Sequence, residues 1–420
     1  MSEVKNYSKT DLPDNWEMGE FSKDLKIQGR IGWKGYKTSD LVDEGPIVVG
    51  GTEIKSSIRL SLDNVKHLSR EKYEESPEIM LKEGDVLLVT RGNLGEVGYY
   101  HSEYGEGTIN PSVIILKNFK GDSKYLFYYL ISSIGKKQVL SLTSGSSIPA
   151  IYQSEVYKLN YPKPPITEQK SIAAILTSFD EKIELLQAQN KTLEELAQTL
   201  FKEWFGKYKV GDELPEGWQV EELDGLLELV IDYRGKTPLK LGMDWSENGI
   251  PALSAKSIKN GKIVRRDAMN FGSEELYSIW MKDELKKGDI LLTSEAPLGE
   301  MYYLNDDTRY ILSQRLFALR VNQQITSEYL YHYLYSTNGQ TLLQARASGS
   351  TVEGIRQSEL RKIEVIVPDK NILEKASIIF KNVFDKTFAN EQQIQTLTKT
   401  RDELLPKLMS GEIRVKMSEL

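Results

Sequence analysis

Apolar residues recur at the alternating three-and-four spacing of a coiled coil in two long stretches of the chain. The predicted seam of the first stretch consists of Ile172, Leu176, Phe179, Ile183, Leu186, Asn190, Leu193, Ala197, Leu200 and Trp204. The predicted seam of the second stretch consists of Phe380, Val383, Asn390, Ile394, Leu397 and Leu404. The second seam is less regular, because Thr387 and Arg401 occupy two of its positions.

Each stretch predicts one long helix. A helix of about 40 residues is roughly 60 Å long, which is too long for one compact domain. If the two helices pack against each other in an antiparallel coiled coil, each apolar seam is buried by the other. Pro406 is expected to end or kink the second helix in its last turns.

One asparagine lies near the middle of each predicted seam, Asn190 in the first and Asn390 in the second. A buried asparagine lowers stability unless it is paired, and it fixes the register of a coiled coil by penalising misaligned partners. In an antiparallel pair the two side chains would meet near the centre. The alternative is that each asparagine faces solvent at a loose point of its seam, and the sequence leaves both open.

The regions that precede the two helices alternate strand and helix patterns. Short apolar runs such as Asp85–Thr90 and Val113–Leu116 are typical of strands, and glycine and asparagine between them supply turns. Tyr125–Ser132 and Tyr329–Tyr335 carry aromatic residues at helical spacing, which favours packing in a core over stacking on bases. The predicted fold class is therefore α+β, with two mixed α/β domains separated by two long antiparallel coiled-coil helices.

The chain contains one internal duplication. Gly84–Leu88 returns as Gly288–Leu292, and Ser144–Ser147 returns as Ser348–Thr351, at a constant offset of 204 residues. Collinear matches at one offset indicate a repeated structural unit, which predicts pseudo-twofold symmetry. The predicted segments are a first mixed domain at 1–165, a central long helix at 166–209, a second mixed domain at 210–368 and a C-terminal long helix with its tail at 369–420.

Composition limits the class of protein without identifying it. The 420 residues are 40% hydrophobic and 27% charged, which is typical of a globular protein large enough for two domains. No apolar run approaches the roughly 20 residues of a membrane-spanning helix, and the N-terminus has no apolar signal core. The absence of cysteine excludes disulfides and thiolate metal sites, and it fits a reducing, cytoplasmic location.

The net charge of −7 and the pI of about 5.4 count against a nucleic-acid-binding protein. Affinity for DNA depends, however, on the local field at the binding face rather than on the charge of the whole chain. Partner subunits in a larger assembly can also neutralise phosphates. The overall charge therefore does not exclude DNA binding.

No arrangement of residues predicts an active site in this chain. Gly235-Lys236-Thr237 resembles the end of a phosphate-binding P-loop, but the position of that motif's first glycine is occupied by Val230. The three histidines lack the spacing of metal ligands, and they are His67, His101 and His332. The chain itself is expected to have no catalytic residue, no metal and no cofactor.

The acidic residues that the duplication repeats lie beside predicted strands and turns. They are Asp85 with Asp289, and Glu155 with Glu359. A nuclease or glycosidase would need a pair of carboxylates at a defined separation, and no spacing here singles one out. We expect a structural role for these acids.

Several segments are similar to the motifs of one protein family. Gly29–Gly35 and Asp232–Pro238 resemble the opening of a target recognition domain, Pro164–Gln169 and Leu200–Phe205 resemble the entry and the end of the central helix, and Leu404–Ile413 resembles the C-terminal signature. With the duplication, these motifs resemble type I restriction-modification DNA specificity subunits over nearly the whole chain. The second helix entry departs from the pattern, because Pro368–Glu374 lacks the proline pair and the glutamine.

The resemblance implies a DNA-binding subunit without catalytic activity of its own. Each target recognition domain would contact one half of a split site in double-stranded DNA. The helices would set the gap between the halves and dock two methyltransferase subunits, which methylate adenine with S-adenosylmethionine. Restriction subunits would join and use ATP and Mg²⁺. Because the two domains have diverged, the two half-sites should differ.

Candidate DNA contacts are basic and polar residues in predicted loops and turns, because arginine can bind guanine bidentately and asparagine can bind adenine in the same way. In the first domain they are Arg30, Lys34, Lys37, Arg91, Asn93, Ser144, Ser146, Ser147 and Tyr152. In the second domain they are Arg234, Lys236, Lys256, Lys259, Arg346, Ser348, Ser350, Thr351 and Arg356.

Two other functions are compatible with the sequence. The chain could be a two-headed adaptor that joins proteins through its helices and does not recognise DNA. It could also be a stand-alone nuclease or methyltransferase with diverged motifs. An adaptor would give no sequence-selective gel shift, and a stand-alone enzyme would act on DNA when given only metal or S-adenosylmethionine.

Overall fold

The chain divides into two compact units. Unit 1 comprises Met1–Leu185 and Ile394–Leu420, and unit 2 comprises Leu186–Gln393. The computed structural model describes residues 12–30, 35–144, 149–349 and 353–415. Two long helices, α6 (Ile166–Trp204) and α12 (Lys370–Ser410), have residues in both units. The duplicated α+β fold and the two long helices expected from the sequence are confirmed.

Unit 1 contains strands β1 to β9 and short helices α1 to α5. The strands are β1 (Glu17–Glu20), β2 (Lys26–Gly29), β3 (Leu41–Val49), β4 (Lys66–Leu68), β5 (Val86–Val89), β6 (Val97–Tyr99), β7 (Gly107–Ile109), β8 (Val113–Lys117) and β9 (Asn160–Lys163). The short helices are α1 (Phe21–Asp24), α2 (Arg70–Glu74), α3 (Ser123–Ile131), α4 (Ser133–Ser141) and α5 (Gln153–Val156).

Unit 2 contains strands β10 to β20 and short helices α7 to α11. The strands are β10 (Gln219–Glu222), β11 (Leu227–Asp232), β12 (Ile250–Leu253), β13 (Ile258–Lys259), β14 (Lys262–Ile263), β15 (Phe271–Gly272), β16 (Ile290–Thr293), β17 (Met301–Tyr303), β18 (Ile311–Leu312), β19 (Leu316–Val321) and β20 (Glu364–Val367). The short helices are α7 (Leu223–Leu226), α8 (Glu274–Trp280), α9 (Ser327–Tyr335), α10 (Thr337–Ala345) and α11 (Gln357–Leu360).

The two units repeat one sheet topology. In unit 1 the antiparallel order is β2-β8-β5-β6, and a second sheet of order β4-β3-β7 contains the parallel pair β3 and β7. In unit 2 the corresponding orders are β11-β19-β16-β17 and β15-β12-β18, with β12 and β18 parallel. A two-stranded ribbon completes each unit, β1 with β9 in unit 1 and β10 with β20 in unit 2.

The interior strand β5 is buried on both faces, which explains its continuous apolar run. Val86 and Leu88 pack into the hydrophobic cluster that contains α3, whereas Leu87 and Val89 pack into the cluster beneath β3 and β7. This alternation follows from the two-residue period of a strand. In unit 2, Ile290 and Leu292 of β16 likewise belong to one cluster and Leu291 to the other.

The repeated acids Asp85 and Asp289 close the turns that lead into these interior strands. The Asp85 carboxylate accepts from the backbone N–H of Lys82 at 2.9 Å, and Asp289 accepts from that of Lys286 at 2.8 Å. Asp289 is also held by the guanidinium of Arg320 at 2.8 Å. Burial raises the pKa of Asp85, although Lys117 nearby opposes the shift. The expected structural role of both residues agrees with these contacts.

In unit 1 the beginning of α6 and the end of α12 lie side by side and antiparallel. Glu168 near the start of α6 accepts from the indole N–H of Trp16 at 3.0 Å and from Arg414 at 2.7 Å. Further along, Asp180 of α6 bonds to Arg401 of α12 at 2.5 Å. Rising residue numbers on α6 therefore face falling numbers on α12.

In unit 2 the two seam asparagines meet. Asn390 Nδ2 donates to Asn190 Oδ1 at 2.7 Å and to Gln189 Oε1 at 2.9 Å. Asn190 Nδ2 donates to the carbonyl of Thr387 at 3.3 Å. Both asparagines are buried. The structure therefore confirms the paired alternative and excludes the one in which each asparagine faces solvent.

Most of the predicted seam is buried or half-buried, and Trp204 at the end of α6 is the exception. Fully buried are Ile172, Leu176, Ile183, Leu186, Asn190, Ala197, Phe380, Val383 and Asn390. Half-buried are Phe179, Leu193, Leu200, Ile394, Leu397 and Leu404.

The placement of Trp204 in the seam was wrong. Trp204 is 36% exposed, whereas Phe201 and Phe205 are each only 4% exposed. A straight α-helix has 3.6 residues per turn and drifts by about 20° per heptad from a strict seven-residue repeat. Toward the end of α6 this drift turns Phe201 and Phe205 toward the core of unit 2 and turns Trp204 out.

Of the two effects expected of Pro406, an end to α12 was wrong, because the helix continues to Ser410, and a kink stays a prediction. Proline has no N–H, so the carbonyl of Asp402 loses its helical partner. Leu405, Leu408 and Met409 are buried in the core of unit 1. We attribute the last turn to this packing, which offsets the missing hydrogen bond.

His332 on α9 is buried among aromatic rings in unit 2. Its side chain lies 4.4 Å from the ring of Phe380 and 5.4 Å from that of Phe384, centroid to centroid. Among the described residues, its Nε2 atom has no hydrogen-bond partner. Burial lowers the pKa of His332 to about 3, so the ring is neutral at physiological pH.

This burial predicts a pH-dependent stability. Below a pH of about 6.5 the unfolded chain protonates His332 but the folded chain does not, so stability falls as the pH falls, until about pH 3. Between pH 6.5 and 4.5 the wild type should lose roughly 2–3 kcal/mol more than His332→Phe, at about 1.4 kcal/mol per pH unit. Urea denaturation of both proteins across this range measures the difference, and parallel profiles would contradict it.

Candidate nucleic-acid interface

In unit 1 the structure brings several of the predicted DNA contacts together. Arg91 and Asn93 are exposed on the turn that follows β5, and Gly92 between them has a φ of +79°. Ala150 lies against this turn, because it forms bridges with both Arg91 and Ser144. The Thr90 carbonyl accepts from the N–H of Ile151 at 3.1 Å.

This arrangement leaves polar groups exposed side by side. Tyr152, which follows the bridged segment, has 55% of its surface exposed, and Ser144 is exposed as well. Within the described part of the chain, the guanidinium of Arg91 forms no ion pair. A free arginine, an asparagine and a tyrosine on one edge can contact phosphates and base edges of DNA.

Unit 2 repeats the turn and the loop. Gly354 forms bridges with Glu295 and Ser348, and the Ser294 carbonyl accepts from the N–H of Ile355 at 2.9 Å. The cleft beside this turn has a volume of about 320 Å³, and its lining includes Arg234, Glu295, Ser348 and Arg356. Arg234 is held in place by Asp232 at 2.7 Å and by the Ile355 carbonyl at 3.2 Å.

A larger cleft of unit 2, of about 630 Å³, contains an excess of positive charge. Among the described residues of its lining, the basic ones are Lys236, Lys256, Arg265 and Arg315, and the acidic one is Asp244. A cleft lined mainly by one sign of charge concentrates the field and attracts the opposite charge. This local field suits DNA phosphates despite the negative charge of the whole chain.

Lys236 has the most restricted position of these basic residues. Its ammonium group donates to the carbonyl of Trp280 at 3.1 Å and lies 4.4 Å from the ring centroid of Tyr233. Burial lowers the pKa of Lys236, and the positive charge of Lys282 lowers it further. Lys236 therefore forms part of the cleft wall, and Lys256 is the more exposed of the two predicted lysines.

Some predicted contacts lie elsewhere. Arg30 is buried, and it donates to the Ile109 carbonyl and to the Thr108 hydroxyl, each at 2.9 Å; this placement does not support a direct contact with DNA. Lys259 lies on the β13–β14 hairpin and does not line the large cleft. Arg346 pairs with Glu359 at 3.6 Å.

Of the remaining predicted DNA contacts, one is an exposed lysine and the others lie outside the residues that the structure describes. Lys37 is exposed at the start of a short 3-10 helix, Thr38–Asp40. Lys34, Ser146, Ser147, Ser350 and Thr351 lie outside the described residues. DNA contact by any of these residues stays a prediction.

Sequence reasoning missed other residues of the unit 2 clefts, namely Trp245, Arg265, Glu295 and Arg315. One signal for Glu295 was available, because the offset of 204 residues places it opposite Arg91 in the repeat. Arg265 and Arg315 follow no motif. They reach the cleft because their loops fold together in the tertiary structure.

The described residues contain neither a cluster of metal ligands nor a membrane-spanning helix. No group of three or more histidine, aspartate or glutamate side chains there is placed to hold a metal ion. No helix there combines the length and the apolar character needed to cross a lipid bilayer.

Known proteins are similar to this chain along almost all of its length. The specificity subunit of the type I restriction enzyme MjaVIII of Methanocaldococcus jannaschii is 26% identical, with 96% of this chain and 94% of that protein covered. The HindI specificity subunit of Haemophilus influenzae is 22% identical, with 98% of this chain and 100% of that protein covered. The solved S subunit from M. genitalium shares the fold, with a TM-score of 0.63, 19% identity, and coverage of 96% of this chain and 97% of that one.

The family model for the type I restriction modification DNA specificity domain matches the chain twice, at residues 31–195 and 215–399. Each match contains one mixed region with its turn, its loop and most of the long helix that follows. The two matches together cover more than half of the chain. The chain therefore belongs to the type I restriction-modification DNA specificity family.

Proposed function

We propose that this chain recognises an asymmetric, bipartite DNA site as the specificity subunit of a type I restriction-modification enzyme. The observation that carries the proposal is the repeated turn and loop. Each unit presents the same backbone arrangement, with Arg91 beside Ala150 in unit 1 and Glu295 beside Gly354 in unit 2. The two units thus have the same backbone conformation at the turn but different side chains, which suits the recognition of two different half-sites.

The chemistry of the enzyme would reside in partner subunits. Two methyltransferase subunits would bind the long helices and methylate adenine with S-adenosylmethionine, and restriction subunits would use ATP and Mg²⁺. The chain itself would be non-catalytic. Partner subunits would also supply part of the phosphate neutralisation that a chain with a net charge of −7 does not provide.

The test is the methylation pattern of DNA in a host that carries the assembled system. Methylation-sensitive sequencing should reveal one motif made of two unlike half-sites with a fixed gap. An unmethylated genome, or a motif without a gap, would contradict the proposal. A gel shift of the assembled complex addresses the adaptor alternative, because an adaptor shows no preference between duplexes.

Arg91→Ala should weaken the recognition of one half-site only. An arginine that contacts a guanine edge supplies about 1–3 kcal/mol of discrimination, so preference at one base pair should fall by about 10- to 100-fold. Competition binding with duplexes substituted at each position measures this. Arg70→Ala is the matched control, because Arg70 is an exposed arginine of unit 1 that pairs with Glu106 away from the turn. An unchanged preference in Arg91→Ala removes Arg91 from the interface.

Lengthening both long helices should change the gap and not the half-sites. We would insert seven residues after Leu185 in α6 and seven after Gln393 in α12, where unit 1 and unit 2 adjoin along the sequence. Seven helical residues add about 10 Å, and this corresponds to roughly three base pairs at 3.4 Å each. The methylation motif of the variant should keep both halves with a longer gap. The same insertion in α6 alone breaks the register and should abolish methylation.

A further inference from the structure

The geometry points to Glu295 and Arg315 of unit 2 as a joint contact for one G·C base pair. The inference rests on the proposed function and deepens it, because it names a base pair of the half-site that unit 2 contacts. Glu295 is on the turn after β16, and Arg315 directly precedes β19. The two side chains form an ion pair, with 2.9 Å between Arg315 Nε and Glu295 Oε1.

The backbone holds both residues at one edge of unit 2. The Arg315 carbonyl accepts from the N–H of Ser294 at 2.9 Å, which fixes the two chain segments side by side. On the other side of the turn, Glu295 is bridged to Gly354. A Cβ atom on Gly354 would lie 2.9 Å from the Cβ atom of Glu295, so a side chain at this position would force one of the two segments to shift.

Both side chains are accessible from the clefts. The Glu295 side chain is 37% exposed and that of Arg315 is 47% exposed. Arg315 lines the cleft of about 630 Å³, and Glu295 lines the cleft of about 320 Å³. An ion pair at such exposure contributes little to stability, so a structural role alone does not account for its position.

The backbone of Arg315 supports the same conclusion. Its φ is +65°, in the left-handed region that side-chain-bearing residues rarely occupy. A non-glycine residue in this conformation carries backbone strain, and such strain clusters at active sites and ligand-binding surfaces. The strain therefore accompanies a side chain that is directed to the cleft.

Unit 1 has the same backbone with a different distribution of charge. There the Ser112 carbonyl accepts from the N–H of Thr90 at 2.7 Å, so Ser112 corresponds to Arg315 and Arg91 corresponds to Glu295. The Ser112 hydroxyl is bonded to Asn110 at 2.6 Å. In unit 1 the positive charge is thus on the turn, and in unit 2 it is on the segment just before β19, which the turn contacts.

The ion pair matches the major-groove edge of a G·C pair. Guanine presents the acceptors O6 and N7, to which the terminal nitrogens of Arg315 can donate, and cytosine presents the N4 amino donor, which the Glu295 carboxylate can accept. An A·T pair presents an amino donor on adenine and the O4 acceptor on thymine. If Arg315 spans the positions of N7 and O6 and Glu295 faces the position of N4, an A·T pair in the same register, with adenine in place of guanine, sets its adenine amino donor against an arginine donor. It also sets an acceptor, thymine O4, against the Glu295 carboxylate.

The experiment uses the chain assembled with its methyltransferase subunits. Glu295→Gln and Arg315→Gln are compared with Glu274→Gln and Arg309→Gln, which alter another exposed carboxylate–guanidinium pair of unit 2. Neither control residue lines the two clefts. Competition binding with duplexes substituted at every position of the wild-type motif reports the preference at each base pair, and thermal melting reports folding.

We expect Glu295→Gln and Arg315→Gln each to reduce the preference for G·C over A·T at the same single position by about 10- to 100-fold. The other half-site and both controls should keep the wild-type preferences. Wild-type preferences in both test variants would overturn the inference and leave the proposed function intact. Loss of all binding at a wild-type melting temperature, or a change at an A·T position, would also overturn it. A wild-type complex without any bipartite motif would refute the proposed function itself.

Discussion

Phe201→Ala should lower the free energy of unfolding by about 3–5 kcal/mol, the usual range for removing a buried phenylalanine. Phe201 is on α6, and its ring packs against aromatic side chains of α9 and α12 within unit 2. Its centroid is 5.6 Å from that of Tyr329, 6.1 Å from that of His332 and 6.3 Å from that of Phe380. The neighbouring elements belong to the sheet-bearing core of unit 2, so they cannot collapse onto the space without losing other contacts.

Trp204→Ala is the matched control, because it removes a larger aromatic side chain three residues away on the same helix. Trp204 is 36% exposed and makes an edge contact with Phe205, so its loss should cost about 1 kcal/mol or less. Urea denaturation followed by circular dichroism compares the two variants. Equal losses, or a larger loss for Trp204→Ala, would show that the strict heptad pattern describes the end of α6 better than the structure does.

Asp180→Ala should have the second-largest effect, a loss of about 2–4 kcal/mol. Asp180 accepts from the Tyr128 hydroxyl at 2.7 Å and from Arg401 at 2.5 Å, and it is buried in unit 1. Removing one partner of a buried ion pair typically costs about 3–5 kcal/mol, because the other charge stays buried. Arg401 is 26% exposed and has a second carboxylate neighbour in Asp402, so we expect a loss about 1 kcal/mol below that range.

Asp402→Ala is the control for Asp180→Ala, because both carboxylates pair with the Arg401 guanidinium and only Asp180 is buried. Asp402 bonds to Arg401 at 2.8 Å, but its side chain is 57% exposed. An exposed pair contributes about 0–1 kcal/mol, so Asp402→Ala should be nearly neutral in a melting experiment. A double-mutant cycle of Asp180→Ala with Tyr128→Phe should show coupling, because either variant removes the same hydrogen bond from the Tyr128 hydroxyl to the Asp180 carboxylate. Additive losses would mean that the Tyr128 hydroxyl is satisfied elsewhere.

The buried site that contains Asp180 in unit 1 has a different chemistry in unit 2. The offset of 204 residues relates Tyr128 to His332, and Asp180 to Phe384. In unit 1 this position carries a hydrogen-bonded polar network, and in unit 2 it carries a neutral histidine stacked on aromatic rings. The duplicated cores have therefore diverged in chemistry while they keep the same helices and sheets.

Part of the candidate DNA interface could be predicted from single residues. The turn after a predicted strand indicates Arg91 and Asn93 as contacts, a polar loop indicates Ser144, and the structure leaves all three exposed. A glycine-containing, loop-like stretch indicates Arg30, which is buried against Thr108 and Ile109. A short window of sequence gives no information about a strand that lies about 80 residues further along the chain and packs against it in the fold.

The sequence by itself determined the features that have a period. The duplication follows from one offset, and the interior strands follow from continuous apolar runs such as Val86–Val89. The sequence places Asn190 and Asn390 in the two seams but leaves open whether they pair, and the structure shows that they do. These features depend on local backbone geometry, in which the side-chain direction repeats every two or 3.6 residues. The same periodicity also identified the helices that the structure has at Ile166–Trp204 and Lys370–Ser410.

Only the tertiary structure decided which side chains meet across long separations. It turned Phe201 inward and Trp204 outward at the end of α6, and it brought Glu295 next to both Arg315 and Gly354. These contacts depend on how sheets, loops and helices pack, and the packing is set by the shape of the whole core rather than by any short pattern. The composition of the binding clefts was therefore beyond the reach of spacing and periodicity.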